Sequence, residues 1–208
     1  RKINLLNFRN YSKCNITLNN KMNIFVGDNA QGKTNILEAI TILALTKSHR
    51  VGNSPNIIQF GKNKCSIEGT IKNNKIITKL SINISEEEKK LEVNKNTIRK
   101  IADYITNLNV IVFTPDDLEI IKGSPNFRRN LLNIQLSQLS RSYIKIYNEY
   151  NKLLKTRNEY LKILFNNSIA DINYLDIITD KLIEKATYIY QKRKEYIDFM
   201  GNERLPQY

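Results

Sequence analysis

The chain contains few of the residues that usually build metal centres and disulfide frameworks. Among 208 residues there are two cysteines, one histidine and no tryptophan. Cys14 and Cys65 form neither a CxxC pair nor a metal-ligand spacing, and His49 alone cannot anchor a metal site. We therefore expect two free, buried thiols, which is typical of a protein in a reducing cytosol.

Long apolar runs are missing as well. No stretch approaches the roughly 18 consecutive apolar residues of a membrane-spanning helix, and no signal peptide is recognisable. We therefore expect a cytoplasmic protein with no membrane partner. Arg1 already lies in a strand-like run, so we also expect a few natural residues before it. Apolar residues make up 41% of the chain and charged residues 25%, which favours a packed core over disorder.

Negative charge is scarce relative to positive charge. The chain has 33 Lys and Arg against 20 Asp and Glu, a formal net charge of +13. The excess is concentrated in residues 1–114, with 18 against 8, and in residues 128–165, with 8 against 2. Such an excess suits a polyanionic partner, most simply DNA or RNA. A lysine-rich surface that only keeps the protein dispersed would give the same composition.

One short stretch has the strongest chemical signal. It reads G-x-x-x-x-G-K-T, the pattern of a phosphate-binding loop, and consists of Gly27, Asp28, Asn29, Ala30, Gln31, Gly32, Lys33 and Thr34. Before it, the apolar run 22–26 predicts a buried strand. After it, apolar positions 36, 37, 40, 43 and 44 predict one face of a helix over 33–45. This arrangement aims backbone N–H groups at an anion.

The residue types in this loop explain how it would hold ATP and Mg²⁺. Gly27 and Gly32 allow tight turns and a close approach of the backbone to phosphates. Lys33 is expected to reach the β- and γ-phosphates, and the Thr34 hydroxyl to bind Mg²⁺. The alternative is a glycine-containing turn between a strand and a helix that binds nothing.

The rest of the first 114 residues is rich in β patterns. Alternating apolar and polar positions predict two hairpins and several short elements. The two predicted hairpins pair a strand at 2–8 with one at 14–18, and a strand at 64–72 with one at 76–84. Further predicted elements are strands at 91–98 and 109–113 and a short helix at 102–105. Polar clusters at 9–12 and 73–75 predict the two hairpin turns, and the charged stretch 86–90 predicts a solvated one.

The pattern changes to helix after Thr114. Thr114 can cap a helix with Pro115 at its first position and Asp116 and Asp117 in its first turn. From residue 125 the apolar spacing predicts a long helix up to a break at 165–168. A second long helix is predicted at about 172–200, and the two form an antiparallel hairpin. Most tyrosines lie here beside the apolar stripe, which favours core packing over base stacking.

These patterns predict an α/β (α+β) chain. We expect residues 1–114 to form a β-rich P-loop unit and residues 115–200 a helical arm. A P-loop NTPase also needs an acidic strand end to hold Mg²⁺ and orient water. Asp116 and Asp117 fit that role poorly, because Thr114 and Pro115 separate them from the preceding strand. We therefore expect the catalytic acid to lie downstream of these residues, outside this chain.

Several segments taken in order resemble one known family. They are NFRNY at 7–11, GDNAQGKTNILEAI at 27–40, SHR at 48–50, IQFG at 58–61, FTPDDL at 113–118, and KGSP at 122–125 followed by Arg128 and Arg129. Together they resemble the RecF family of bacterial DNA replication and repair ATPases, kin to SMC and ABC-type heads. The resemblance is weaker beyond about residue 135. In this chain Asn133 stands where the family usually has an acidic residue, and the family's signature motif and Walker B acidic pair are absent.

The resemblance implies an ABC/SMC-type head lobe whose second lobe is the helical arm. It implies that residues 1–114 are a P-loop ATPase lobe and that residues 201–208 begin a return toward it. In that family ATP is sandwiched between two protomers, the ATP-dependent homodimer clamps duplex DNA, and hydrolysis releases it. The resemblance further implies a preference for junctions of single- and double-stranded DNA. It also implies cooperation with RecR and RecO in loading recombinase at gaps and support of the SOS response.

Residue roles also follow from the resemblance. Arg9 and Asn10 would contact the nucleotide, and Arg50 occupies the place of a DNA-sensing arginine. Asp116 and Asp117 occupy the place of the Q-loop, which in that family couples the two lobes to Mg²⁺ and the attacking water. Capping of a helix N-terminus would explain the two carboxylates equally. The paired residues Arg128 and Arg129 would contact DNA phosphates or form an internal ion pair with Asp116 or Asp117.

Three other interpretations remain open. The chain would be a catalytically inactive nucleotide-binding fragment that acts as an interaction module, since we expect ATP binding without turnover. It would be a nucleotide or nucleoside kinase if it had a lid with paired arginines and an acidic acceptor site, but the two long helices look unlike a lid. It would be another SMC-type head if long coiled-coil arms joined its halves, but only about 75 residues of helix pattern are present.

Overall fold

An antiparallel sheet forms the centre of the first of two units, Arg1–Pro115. The computed structural model describes residues 1–48, 57–73, 76–166 and 172–204. The sheet has six strands: β1 Lys2–Phe8, β2 Tyr11–Thr17, β3 Lys64–Asn73, β4 Ile76–Ser85, β5 Lys89–Val93 and β6 Asn96–Ile98. Their order is β2-β1-β3-β4-β5-β6, and every neighbouring pair is antiparallel. The mixed fold class with strands and helices is confirmed.

One face of the sheet is apolar because alternate residues of each strand point the same way. Ile3, Leu5, Ile67 and Ile82 are buried on this face. Two helices complete the core, α1 Lys33–Leu45 and α2 Ile101–Ile105, through Ala39, Ile42, Leu43 and Tyr104. Helix α1 approaches β3 closely, since a Cβ added at Gly69 would lie 2.2 Å from Leu43 Cδ2. This packing fixes α1, and with it the loop that precedes it.

Several predicted elements agree with the structure, although β2 begins at Tyr11, three residues before the predicted start at 14. Strand β1 and helix α1 have the predicted bounds, and the predicted hairpin of 64–72 and 76–84 is β3 and β4. The segment predicted as one strand at 91–98 is instead a hairpin of β5 and β6. Asn94 and Lys95 form its turn with φ of 52° and 69°, as two-residue hairpin turns require.

The buried face of α1 agrees in part with the predicted one, since Ile36, Leu43 and Ala44 are buried. Leu37 was predicted to face the core, but it is 49% exposed. Ala39 and Ile42 are buried instead, and so are the polar residues Glu38 and Thr41. The prediction for Leu37 is wrong because the buried face includes a carboxylate that a purely apolar pattern leaves out.

Two predicted strands are wrong. The segments 22–26 and 109–113 form no strand, and several of their apolar side chains are exposed: Met22, Ile24, Val26, Ile111 and Phe113. A strand needs a hydrogen-bonded neighbour, and no strand in the described ranges pairs with either segment. Their sequence pattern predicts burial without specifying the partner that would provide it.

The second unit, Asp116–Tyr208, is helical. A 3-10 turn at Pro115–Leu118 leads into α3 Glu119–Lys122, α4 Pro125–Leu139, α5 Arg141–Asn166 and α6 Ile172–Arg204. Leu136, Tyr143 and Ile189 form its core, with further tyrosines packed around them, in agreement with the prediction of core packing. Residues 201–204 continue α6, and the predicted return toward the first unit stays a prediction.

The long helix predicted after residue 125 is interrupted at Ser140. Ser140 has extended backbone angles, φ −141° and ψ 116°, and its hydroxyl accepts the Tyr143 N–H at 3.2 Å, which caps the start of α5. Helices α5 and α6 run antiparallel as predicted. Two contacts show this: Glu149 pairs with Lys185, and Arg157, further along α5, donates to Thr179, which lies earlier in α6.

The two free thiols differ in their surroundings. Cys65 is buried in the sheet core as predicted, whereas Cys14 is only half-buried, so the prediction of two buried thiols holds for Cys65 alone. Burial raises the pKa of Cys65 to about 11 and also raises the pKa of Cys14. We expect Ellman's reagent at pH 8 to modify Cys14 first and to reach Cys65 only on unfolding, because the thiolate is the reacting form. Equal rates for both thiols, followed by peptide mass spectrometry, would contradict this assignment.

Neither a membrane segment nor a metal cluster is found in the part of the chain that the structure describes. No helix there has the length and apolar content needed to cross a bilayer. The same residues contain no group of three or more His, Cys, Asp or Glu side chains placed to hold a metal ion.

Candidate nucleotide-binding site

The loop 27–34 folds around the ammonium group of Lys33. Lys33 Nζ donates to the carbonyl oxygens of Gly27 and Asp28, both at 2.6 Å. Helix α1 begins at Lys33, and Thr34 is exposed in its first turn. Since the first turn of a helix leaves its N–H groups without intrahelical partners, this helix start is suited to binding an anion.

Gly32 is required at the join between loop and helix. Its φ of 99° lies in the left-handed region that side chains disfavour. A Cβ at this position would lie 2.8 Å from Asn10 Nδ2 and Oδ1 and from Tyr11 Oη. The turn between β1 and β2 is therefore packed directly against the loop, and glycine leaves the space for it.

Arg9, in that turn, makes a bidentate ion pair with Glu38 of α1. Arg9 Nε donates to Glu38 Oε2 at 3.0 Å, and Nη2 donates to Oε1 at 2.8 Å. The Glu38 side chain is fully buried, whereas that of Arg9 is 21% exposed. The Ser48 hydroxyl also donates to Glu38 Oε1. Glu38 thus anchors the turn to α1.

A second contact between the turn and α1 lies beside the first. Asn35 Nδ2 donates to Asn10 Oδ1 at 2.9 Å. The structure therefore brings Arg9 and Asn10 together with the loop 27–34. Sequence reasoning missed Glu38, although its signal was present: a carboxylate within the core-facing stripe of a helix requires a cationic partner.

The remaining predicted site residues lie elsewhere or outside the described residues. Arg50 and the side chain of Asp116 are outside the described residues. Asp117 is half-buried in the second unit. In that unit Arg128 Nη1 donates to the Ile120 carbonyl at 3.2 Å, and Arg129 donates to Asn126 Oδ1. Their DNA-binding and Q-loop roles stay predictions.

Comparison with known proteins gives consistent matches. The model of the AAA domain family matches residues 2–204. The DNA replication and repair protein RecF of Bacillus thuringiensis (strain Al Hakam) is 39% identical over 205 residues, which cover 99% of this chain and 55% of that protein. RecF of Oceanobacillus iheyensis is 38% identical over 99% of this chain and 56% of its own length.

Solved structures with the same fold are also RecF proteins. One, described as the recombination mediator protein RecF-ATPrS in the RecFOR pathway, matches with a TM-score of 0.90 and 29% identity. Another, described as RecF-ATP in the same pathway, matches with a TM-score of 0.89 and 28% identity. Each match covers 95% of this chain and 53% of the other. The chain thus spans about half the length of the relatives it matches.

Proposed function

The chain belongs to the AAA domain family. From that membership and from its likeness to RecF, we propose that the chain is the ATP-binding part of a DNA-binding protein that acts in recombinational repair and replication. The loop at 27–34 is the observation that supports this function best. It has the residues of a phosphate-binding loop, a helix that begins at Lys33, and a left-handed glycine at Gly32, where a Cβ would clash with Asn10 and Tyr11.

We propose that the loop residues hold ATP and Mg²⁺. Lys33 exchanges its two carbonyl acceptors for the β- and γ-phosphate oxygens, which are charged and bind it more strongly. The exposed Thr34 hydroxyl is the protein ligand for Mg²⁺, and the cation neutralises phosphate charge when bound. Arg9 and Asn10 border the nucleotide on the side of the β1–β2 turn.

Turnover is a separate matter from binding. We propose that this chain binds ATP without hydrolysing it, because Asp116 and Asp117 fit the acidic strand end of a P-loop NTPase poorly. Measured ATP turnover by the 208-residue chain would argue against this and also against an inactive interaction module. The likeness to RecF weighs against a nucleotide kinase.

We further propose that the partners follow the RecF pattern. The net charge of +13 supports binding to duplex and gapped DNA, with Arg50, Arg128 and Arg129 as candidate phosphate contacts. An ATP-dependent homodimer, contacts with RecR and RecO, and a cytoplasmic location are carried over as proposals from the relatives.

Binding to a gapped duplex, measured against salt with and without ATP, tests this function. We expect the affinity to fall steeply with salt, since each neutralised phosphate contributes about −0.9 to the slope of log K against log salt. ATP is expected to raise the affinity, and Lys33→Ala to remove that effect while leaving the salt slope unchanged. Affinity that responds to neither salt nor ATP would exclude the DNA clamp.

A further inference from the structure

A groove of about 540 Å³ lies within the helical unit, between α4, α5 and α6. Its walls include two arginines, Arg129 and Arg193, together with three tyrosines and four asparagines. No carboxylate is among the described residues that line it. The volume falls within the range of small-molecule sites, and the lining is cationic and aromatic.

The charge of Arg193 is oriented without being neutralised. Its Nε and Nη2 donate to Asn133 Oδ1 at 3.1 and 2.7 Å. The same oxygen accepts the Tyr143 hydroxyl at 2.7 Å, and Asn133 is only 6% exposed. An amide oxygen has no formal charge, so this buried acceptor positions the guanidinium but leaves its positive charge available to an anion.

Arg129, on α4, also contacts a neutral side chain, but this contact is exposed. It donates to the amide oxygen of Asn126, one turn earlier in α4. Of the ion pairs found in the described ranges, none involves Arg129 or Arg193. The groove thus contains two guanidinium groups, each in contact with a neutral side chain, in a unit whose helices α4 and α5 have a large excess of Lys and Arg.

The other lining residues favour a nucleotide over other anions as the ligand of this groove. Tyr190 is 69% exposed, and Tyr147 and Tyr150 line the groove beside it. An exposed aromatic ring stacks on a nucleobase, and asparagine amides donate to and accept from base edges. A simple acidic peptide would use the guanidinium groups and leave the aromatic and amide groups without a role.

We propose that this groove is a second nucleotide site, which binds one nucleoside phosphate unit through Arg129 and Arg193, with its base stacked on Tyr190. The ligand is either a free nucleotide or one unit of a single strand. The inference does not depend on the loop 27–34, which lies in the other unit.

The test uses the full chain in a Lys33→Ala background, so that the loop does not contribute. Binding of a labelled single-stranded hexathymidylate is measured by fluorescence anisotropy at about 50 mM salt, where phosphate contacts are strong. AMP is then added as a competitor for the same site. Asn133→Asp gives Arg193 a carboxylate partner in the same place and is expected to weaken binding at least about fivefold. Asn148→Asp adds the same charge at an exposed position of α5 and is expected to change binding less than about twofold.

A second variant addresses the base. Tyr190→Ala removes an exposed ring and is expected to weaken hexathymidylate binding about fivefold or more without lowering the melting temperature. Competition by AMP supports a site for free nucleotides, whereas hexathymidylate binding alone supports a site for a strand. Equal loss in Asn133→Asp and Asn148→Asp, or tighter binding of polyglutamate than of either nucleotide probe, would overturn the proposal. So would unchanged binding in Tyr190→Ala.

Discussion

Lys33→Ala is expected to weaken ATP binding at least about 100-fold. Lys33 Nζ lies 2.6 Å from two carbonyl oxygens, so the ammonium group is already at the centre of the loop before a nucleotide arrives. Each hydrogen bond from a charged donor contributes about 1.5–3 kcal/mol. The variant loses two such bonds to phosphate oxygens, and the binding free energy lost with them exceeds the ~2.8 kcal/mol that corresponds to a factor of 100 in affinity.

The measurement is a titration with a fluorescent ATP analogue in the presence of Mg²⁺. Lys13→Ala, an exposed position on β2, serves as the control and should bind like the parent chain. The melting temperature of Lys33→Ala is measured as well, because the substitution also removes the two contacts of the ammonium group with the loop carbonyls. Alanine favours the first turn of α1 at least as well as lysine, so α1 itself should persist. ATP binding within about threefold of the parent would contradict the role assigned to Lys33.

Arg9→Met is expected to lower the free energy of unfolding of the first unit by about 3–5 kcal/mol. The reason is the fully buried Glu38 carboxylate, which loses its bidentate cationic partner and keeps its charge away from water. Replacing both partners, as in Arg9→Met with Glu38→Leu, should recover most of the loss, since no buried charge then remains. Urea unfolding followed by circular dichroism measures both effects.

Arg99→Met is the matched control for this substitution. Arg99 is exposed in the same unit, and its loss should change stability by less than about 0.5 kcal/mol. If Arg9→Met behaves like Arg99→Met, the ion pair does not hold the turn against α1. A double variant less stable than Arg9→Met alone would instead show that Glu38 stabilises the unit through its other contacts, such as the one with Ser48.

The sequence predicted the local elements and missed what depends on distant partners. The loop 27–34 and helix α1 form one continuous motif, so residue types and spacing were sufficient. Glu38 pairs with Arg9 across 29 positions, and Asn35 with Asn10 across 25, and no local period reveals such pairs. Polar residues on a buried helix face are the only indication that a partner exists.

The errors in the fold have equally physical causes. Apolar runs at 22–26 and 109–113 indicated burial, but a strand forms only beside another strand, and periodicity does not identify the neighbour. The break at Ser140 was hidden because the apolar spacing continues across it. Only the serine, which caps α5, distinguishes two helices from one.

The order of strands has a consequence for how the protein folds. Strand β1 pairs with β3 across more than 50 intervening residues, while every other neighbouring pair in the sheet is consecutive along the chain. The hairpins can therefore form quickly, whereas the β1–β3 pairing must first close a long loop. The loop 27–34 and α1 lie inside that closure, so we expect the proposed ATP site to form in the slower step. Added ATP should consequently stabilise the finished fold and slow unfolding, while leaving the early hairpin phase of refolding unchanged.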